Sequence, residues 1–274
     1  MAISMADIQH LRKMTGAGMM DCKNALTEAN GEIDKAIEVI RKKGQAFAAK
    51  REDRDASEGC VLAGTVDGYA ALVAIKCETD FVAINADFVG MAKTILENTL
   101  AGKPADAEAL KNLEIEGRKV SDIITDRSGI TGEKMELGAF ESISAPTVFA
   151  YIHPGNKLAT IVGFNKANVA EQVGKDIAMQ IAAMNPVSIL PEEVSEETKD
   201  RERKIAKEKA IEAGKPENLL DRIAEGAVTK FFKEYTLLQQ DFIKDSKITV
   251  AQYLAKQDKE LSVTAFKRFT LNAE

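Results

Sequence analysis

Two segments of the same design constrain this chain most. Val61–Val66 and Tyr69–Lys76 are apolar, strand-like runs separated by Asp67-Gly68, a pair suited to the positive φ angles of a two-residue hairpin loop. Phe88, Met91, Ala92, Ile95 and Leu96 then recur at helical spacing, which predicts a helix from about residue 86. The plan repeats later: Val148–Ile152 and Leu158–Phe164 flank His153-Pro154-Gly155-Asn156, and a helix is predicted from Val169 to Met184. Hairpin then helix, twice, predicts an α+β core of two related halves. Between them, Lys103 to Met135 reads as a polar region with short helices, and Leu137–Ser144 as another strand. With 274 residues, 45 % of them hydrophobic, the chain can bury roughly 70–75 % of its unfolded surface.

Two helical parts flank or interrupt this core. Ser4 and Asp7 mark a capping-box start, Ile8 and Leu11 give a short apolar face, and Thr15-Gly16-Ala17-Gly18 breaks that helix. A second helix runs from Met19 or Met20 to Ala29. A third carries Ile33, Ala36, Ile37 and Ile40 and is expected to end at Lys42-Lys43-Gly44, basic residues followed by glycine. Lys50 to Arg54 reads as a charged linker. Farther on, Glu192 to Ala213 is rich in Glu and Lys, and Gly214-Lys215-Pro216 punctuates a helical hairpin. Its sparse apolar positions favour a protruding hairpin over a buried one. The divisions expected are thus 1–54, a small three-helix domain; 55–145, the first half of the core; 146–190 with 227–274, the second half; and 191–226, the inserted antiparallel hairpin. A short helix from Thr249 to Ala255 and a strand around Val263–Phe269 close the chain.

Composition excludes several functions. A net charge of −6 and 5 % aromatic residues argue against a nucleic-acid coat or a stacking platform for single strands. In residues 1–54 basic residues outnumber acidic ones by only two, so Arg41-Lys42-Lys43 reads as a solvated helix end. Cys22, Cys60 and Cys77 lack metal-ligand spacing, and reduced thiols in a cytoplasmic protein are expected. No apolar run reaches a membrane span, and the N-terminus lacks a signal-peptide pattern. His10 and His153 are two isolated imidazoles, no phosphate-binding glycine motif occurs, and no nucleophile accompanies Glu78 and Asp80. Neither an enzyme nor a resident metal or cofactor is expected.

Cys77-Glu78-Thr79-Asp80-Phe81-Val82-Ala83 lies between a strand and a helix, where rigid scaffolds present functional side chains. Structurally, Thr79 or Asp80 serves as a helix cap with Phe81 as a hydrophobic staple. Met19 and Met20, adjacent at a helix start, cannot both face one small core, and soft thioethers suit a partner surface.

Thr79-Asp80-Phe81-Val82, followed by Ala83 and Asn85, resembles the signature loop of the bacterial elongation factor Ts family. Leu11-Arg12 with Thr15-Gly16-Ala17-Gly18-Met19-Met20-Asp21-Cys22-Lys23-Asn24-Ala25-Leu26 resembles its opening motif. Further likeness lies at Tyr151-Ile152-His153, Lys175-Asp176-Ile177-Ala178-Met179, Gly214-Lys215-Pro216-Glu217-Asn218 and Leu237-Leu238-Gln239-Gln240 leading to Phe242-Ile243-Lys244-Asp245. The resemblance implies a ubiquitin-associated-like N-terminal domain and a guanine-nucleotide exchange factor whose partner is elongation factor Tu. It implies that Thr79, Asp80, Phe81 and Val82 disturb the partner's magnesium site and promote GDP release, and that Arg12, Met19, Met20, His153 and Ile243 dock the partner. A homodimer or a 2:2 complex with the partner stays open. Ala74 and Lys76, where an acidic residue and asparagine are common, and Gln180, where histidine is often seen, depart from the family pattern. The competing reading is an adaptor that binds nascent chains or other partners without exchange activity; such a protein has no use for the Thr79–Val82 loop.

Overall fold

The computed structural model of the protein describes residues 3–272. It opens with α1 (Met5–Thr15), α2 (Met19–Glu28) and α3 (Ile33–Ala49). The capping box forms: the Ser4 hydroxyl accepts from the Asp7 amide at 3.1 Å, and the Asp7 carboxylate accepts from the Ser4 amide at 3.0 Å. Ile8, Leu11, Cys22, Ala25, Leu26 and Ala36 make a small core of their own.

The first half of the core follows as β1 (Glu58–Val66), β2 (Tyr69–Cys77), the single turn α4 (Asp80–Ala83) and α5 (Ala86–Gly102). Asp67 and Gly68, at φ 40° and 72°, make the expected hairpin loop. The polar stretch then gives α6 (Ala107–Asn112), the small hairpin β3 (Glu114–Ile115) and β4 (Arg118–Lys119), α7 (Val120–Thr131) and β5 (Met135–Ser144). The second half comprises β6 (Thr147–Ile152), β7 (Leu158–Phe164) and α8 (Glu171–Met184). After the hairpin α9 (Glu196–Glu212) and α10 (Leu220–Tyr235) come β8 (Asp241–Phe242), β9 (Asp245–Thr249), α11 (Val250–Gln257) and β10 (Val263–Thr270). Two antiparallel three-stranded sheets result, ordered β1-β2-β5 and β10-β7-β6.

Strand alternation explains the layers. Tyr69, Ala71, Val73, Ile75 and Cys77 face Phe88, Met91 and Ile95 of α5. Ala70, Leu72 and Ala74 face the other way, onto Val148, Ala159 and Ile161 of the second sheet. Past that sheet, Val162 and Phe164 pack on Val173, Ile177 and Ile181 of α8. The order is therefore helix, sheet, sheet, helix. Because β2 is covered on both faces, its sequence is an almost continuous apolar run.

α3 departs from expectation. It does not end at Gly44 but continues to Ala49. Gly44 lies at a helix crossing instead of a helix end: α3 meets α7 there, and the glycine this requires is Gly129 of α7, whose Cβ would overlap the Gly44 backbone. Arg41 reaches Asp126 of α7 at 3.6 Å, and Arg118 pairs with the same carboxylate. The three-helix unit is thus seated on the first half of the core.

The inserted hairpin is antiparallel as expected. Lys207 meets Asp221 at 2.6 Å and Arg203 meets Glu225 at 2.8 Å, while Ala210 and Ala224 are buried. The second arm passes residue 226 without a break and ends at Tyr235, where the Phe231 and Tyr235 rings stack at 4.8 Å. No helix among the described residues is long and apolar enough to cross a membrane.

Candidate partner-binding site

The loop after β2 is a single helical turn set between two caps. Thr79 is extended (φ −121°, ψ 153°), and its hydroxyl accepts from the Val82 amide at 3.4 Å. Asn85 caps the next helix, accepting from the amides of Asp87 and Phe88 at 2.9 and 3.3 Å. Thr79 caps only this single turn; the longer helix expected from about residue 86 is capped by Asn85 instead of Thr79 or Asp80, and Phe81 is no staple. Ala83 is buried and Val82 half-buried, whereas Phe81 is 80 % exposed and Ile84 78 % exposed. Two large apolar side chains three residues apart share a face on a one-turn helix. Asp80 stands beside them, also exposed. Ile84 was missed from sequence; an apolar residue three past Phe81 and just before the Asn85 cap is the signal that could have found it.

The base of the loop is held firmly. The Glu133 carboxylate accepts from the Glu78 amide at 3.1 Å, the Thr79 amide at 3.0 Å and the Thr79 hydroxyl at 2.5 Å. Glu78 accepts from the Lys134 amide at 2.6 Å and pairs with Arg51 and Arg54 at 3.0 Å each. Burial opposes the Glu78 charge, but the Lys134 amide and the Arg54 and Arg51 guanidinia outweigh it and hold the carboxyl down at about 2. The presumed linker is therefore tied to the loop. Beneath it, burial pushes the Cys77 thiol up to about 12, with Glu133 and Glu58 adding to the effect, and burial lifts Cys60 to about 11. Burial thus disfavours the reactive thiolate at both cysteines.

The β6–β7 turn lies alongside. Asn156 offers its carbonyl to the Val61 amide at 2.7 Å, and Lys157 pairs with Glu58 at 2.9 Å. The Lys157 ammonium is stabilised first by Glu58 and also by Asp80, which places this turn within reach of the loop's charge. His153, exposed on the same turn, shares a hydrogen bond with the Tyr151 hydroxyl at 2.9 Å through Nδ1.

The other expected docking residues sit on separate elements. Met19 and Met20 are both exposed, at 37 % and 64 %, and Arg12 is exposed on α1. Their unit approaches the loop indirectly: a Cβ on Gly16 would lie 3.8 Å from Arg127, which pairs with Asp87 in the first turn of α5 at 3.7 Å. Ile243 projects from the β8–β9 turn, 38 % exposed. Gln180 supports it, accepting from the Ile243 amide at 2.8 Å while donating to Gln240 and to the Asp241 carbonyl at 3.1 Å. Asp176, one turn earlier on α8, pairs with Lys244 at 2.6 Å. Gln180 is thus a satisfied buried amide. Ala74 fills the layer between the sheets, and Lys76 lies across Gly138 toward Glu136 at 3.8 Å.

The pattern that defines the family described as Elongation factor TS matches residues 78–273. Over its full length the chain is similar to Elongation factor Ts of Porphyromonas gingivalis, 61 % identical over 275 aligned residues. It is 58 % identical to that of Azobacteroides pseudotrichonymphae over 274 residues and 47 % identical to that of Bacteroides thetaiotaomicron over 331. Each pair is covered from end to end on both sides.

Proposed function

Because the chain belongs to the elongation factor Ts family, a family of translation elongation factors, we propose that it is a guanine-nucleotide exchange factor for elongation factor Tu. It carries out no covalent chemistry and acts in the cytoplasm, where translation elongation takes place. The single observation that carries this reading is Phe81, 80 % exposed on a turn whose base is clasped by Glu133 and Glu78. An aromatic ring held out from a fixed base is disfavoured in water and suited to insertion into another protein.

Exchange is thermodynamic coupling. The chain must bind nucleotide-free partner more tightly than GDP-bound partner, since equal affinity for both shifts nothing. By reciprocity GDP weakens the chain's own binding by the same factor. Phe81 acts as the wedge, its burial available only in the opened partner, with Ile84 extending the apolar face. Asp80 brings negative charge to a site where the partner's magnesium neutralises phosphate. Thr79 and Val82 hold the turn from which both project. Met19, Met20, Arg12, the His153 turn and Ile243 provide docking contacts on three different parts of the fold.

Release of fluorescent GDP from elongation factor Tu, followed with catalytic amounts of this chain, tests the proposal. Accelerated release is expected. Tight binding without acceleration would instead favour the adaptor reading.

A further inference from the structure

We infer that Glu133 is the positioning residue that aims the loop, through a reciprocal clasp between residues 78–79 and 133–134; the inference rests on the reading that Asp80 and Phe81 drive release. Two turns 54 residues apart hold one another by their carboxylates. Glu133 takes the amides of Glu78 and Thr79 and the Thr79 hydroxyl, and Glu78 takes the Lys134 amide in return.

The position of these bonds gives them their consequence. Cys77 is the last residue of β2 in register with its neighbours, opposite Glu58 on one side and Met135 on the other. The next two amides have left the sheet and precede the first helical residue, Asp80, so neither the strand ladder nor the helix gives them an acceptor. Water can satisfy such donors, but it cannot fix the direction in which the chain departs. A carboxylate taking two successive amides and a hydroxyl does fix it. Gly132, at φ 76°, ends α7 in the left-handed region and turns the chain so that Glu133 faces the loop. The Ser128 hydroxyl secures the same residue by donating to the Glu133 carbonyl at 2.5 Å. Phe81, so widely exposed, has little packing of its own to orient it, so its aim is set at residues 78–79. A small misplacement of a group acting in a fitted site can cost up to about a hundredfold in rate.

The test uses the full chain with Glu133→Ala, Glu133→Gln, Phe81→Ala and the Glu133→Ala/Phe81→Ala pair. Two quantities are measured: hydrogen exchange at amides 78 and 79, and the maximal rate of labelled GDP release from elongation factor Tu at saturating chain. Glu133→Ala should lose protection at 78 and 79, keep it in β1, β2 and α5, and slow maximal release about tenfold. Glu133→Gln, which retains a carbonyl acceptor for the amides, should recover most of both. On the Phe81→Ala background, removing Glu133 should slow release little further, because the two act through one contact. Should Glu133→Ala not fold, Glu133→Asp, with its carboxylate drawn back by one methylene, carries the same expectation. A slow Phe81→Ala beside a Glu133→Ala of parental rate would overturn the inference, as would losses that multiply in full. A Phe81→Ala as fast as the parent would bring down the function reading and this inference with it.

Discussion

At Glu78 charge and position are joined in one side chain. Its ordinary value near 4.5 is lowered to about 2 in the folded protein, so folding favours the ionised form. The stability it contributes is complete above about pH 4.5 and is lost as pH falls toward 2. Glu78→Gln should therefore lower the urea midpoint at pH 7, and the gap to the parent should close on acidification through that window. An equal gap at pH 7 and pH 2.5 would show that the Arg51, Arg54 and Lys134 contacts do not hold the charge. Asp80 and Phe81 were legible in the sequence because they form a contiguous motif between a strand and a helix. Glu133 was not, since its contacts with the loop span 54 residues and leave no local pattern. Ile84 has a local signal, an apolar residue three past Phe81 and directly before the Asn85 cap, but its exposure depends on the extra helical turn, which the sequence pattern does not mark.

Among elements, the α3–α7 crossing is the most exacting contact. A Cβ on Gly129 would overlap the Gly44 backbone, whereas a Cβ on Gly44 would stand 3.5 Å from the Gly129 Cα, an ordinary contact. Gly129→Ala should force the helices apart at a cost of about 1–3 kcal/mol, typical of overpacking, and free the three-helix unit while the sheets keep their stability. Gly44→Ala should be tolerated. Limited proteolysis of the 50–57 segment distinguishes the two; equal resistance in both variants would contradict the asymmetry. Here the sequence misled for a physical reason. Basic residues followed by glycine signal a helix end, but glycine also permits backbone-to-backbone packing, and only the partner helix decides between these uses. Hairpins and their following helices were legible because turn chemistry and periodicity are local. By contrast, the region between Lys103 and Met135 gave its longer helix, α7, too little apolar contrast to stand out, as its buried residues are only Val120, Ile124 and Ser128.

For the whole molecule, the parts most exposed to a partner lie on separate units, which are joined by apolar packing between the sheets and by the α3–α7 crossing, with polar links added at the loop. Arg51 and Arg54 belong to the segment after α3, yet they clamp Glu78 at 3.0 Å each. A truncation after residue 54 therefore removes docking methionines and loop supports together. Truncation after Ala49 keeps both arginines, and it should weaken complex formation in calorimetry while retaining more of the maximal release rate than truncation after Arg54. Equal maximal rates in the two would show that the arginines do not support the loop. The α9–α10 hairpin, replaced between Ser195 and Tyr235 by a short Gly/Ser linker, should keep most exchange activity; near-total loss in a folded variant would assign it a contact with the partner. The most direct measurement is stopped-flow release of labelled GDP from elongation factor Tu with saturating parent chain, Phe81→Ala and Asp80→Ala, with and without a magnesium chelator. Removing a ring fully enclosed in the complex costs about 3 kcal/mol, or roughly a hundredfold in rate, so Phe81→Ala should be slowed by up to that factor. Asp80→Ala should lose less, and its deficit should shrink once chelation has removed the metal. Both variants releasing GDP as fast as the parent would contradict the account.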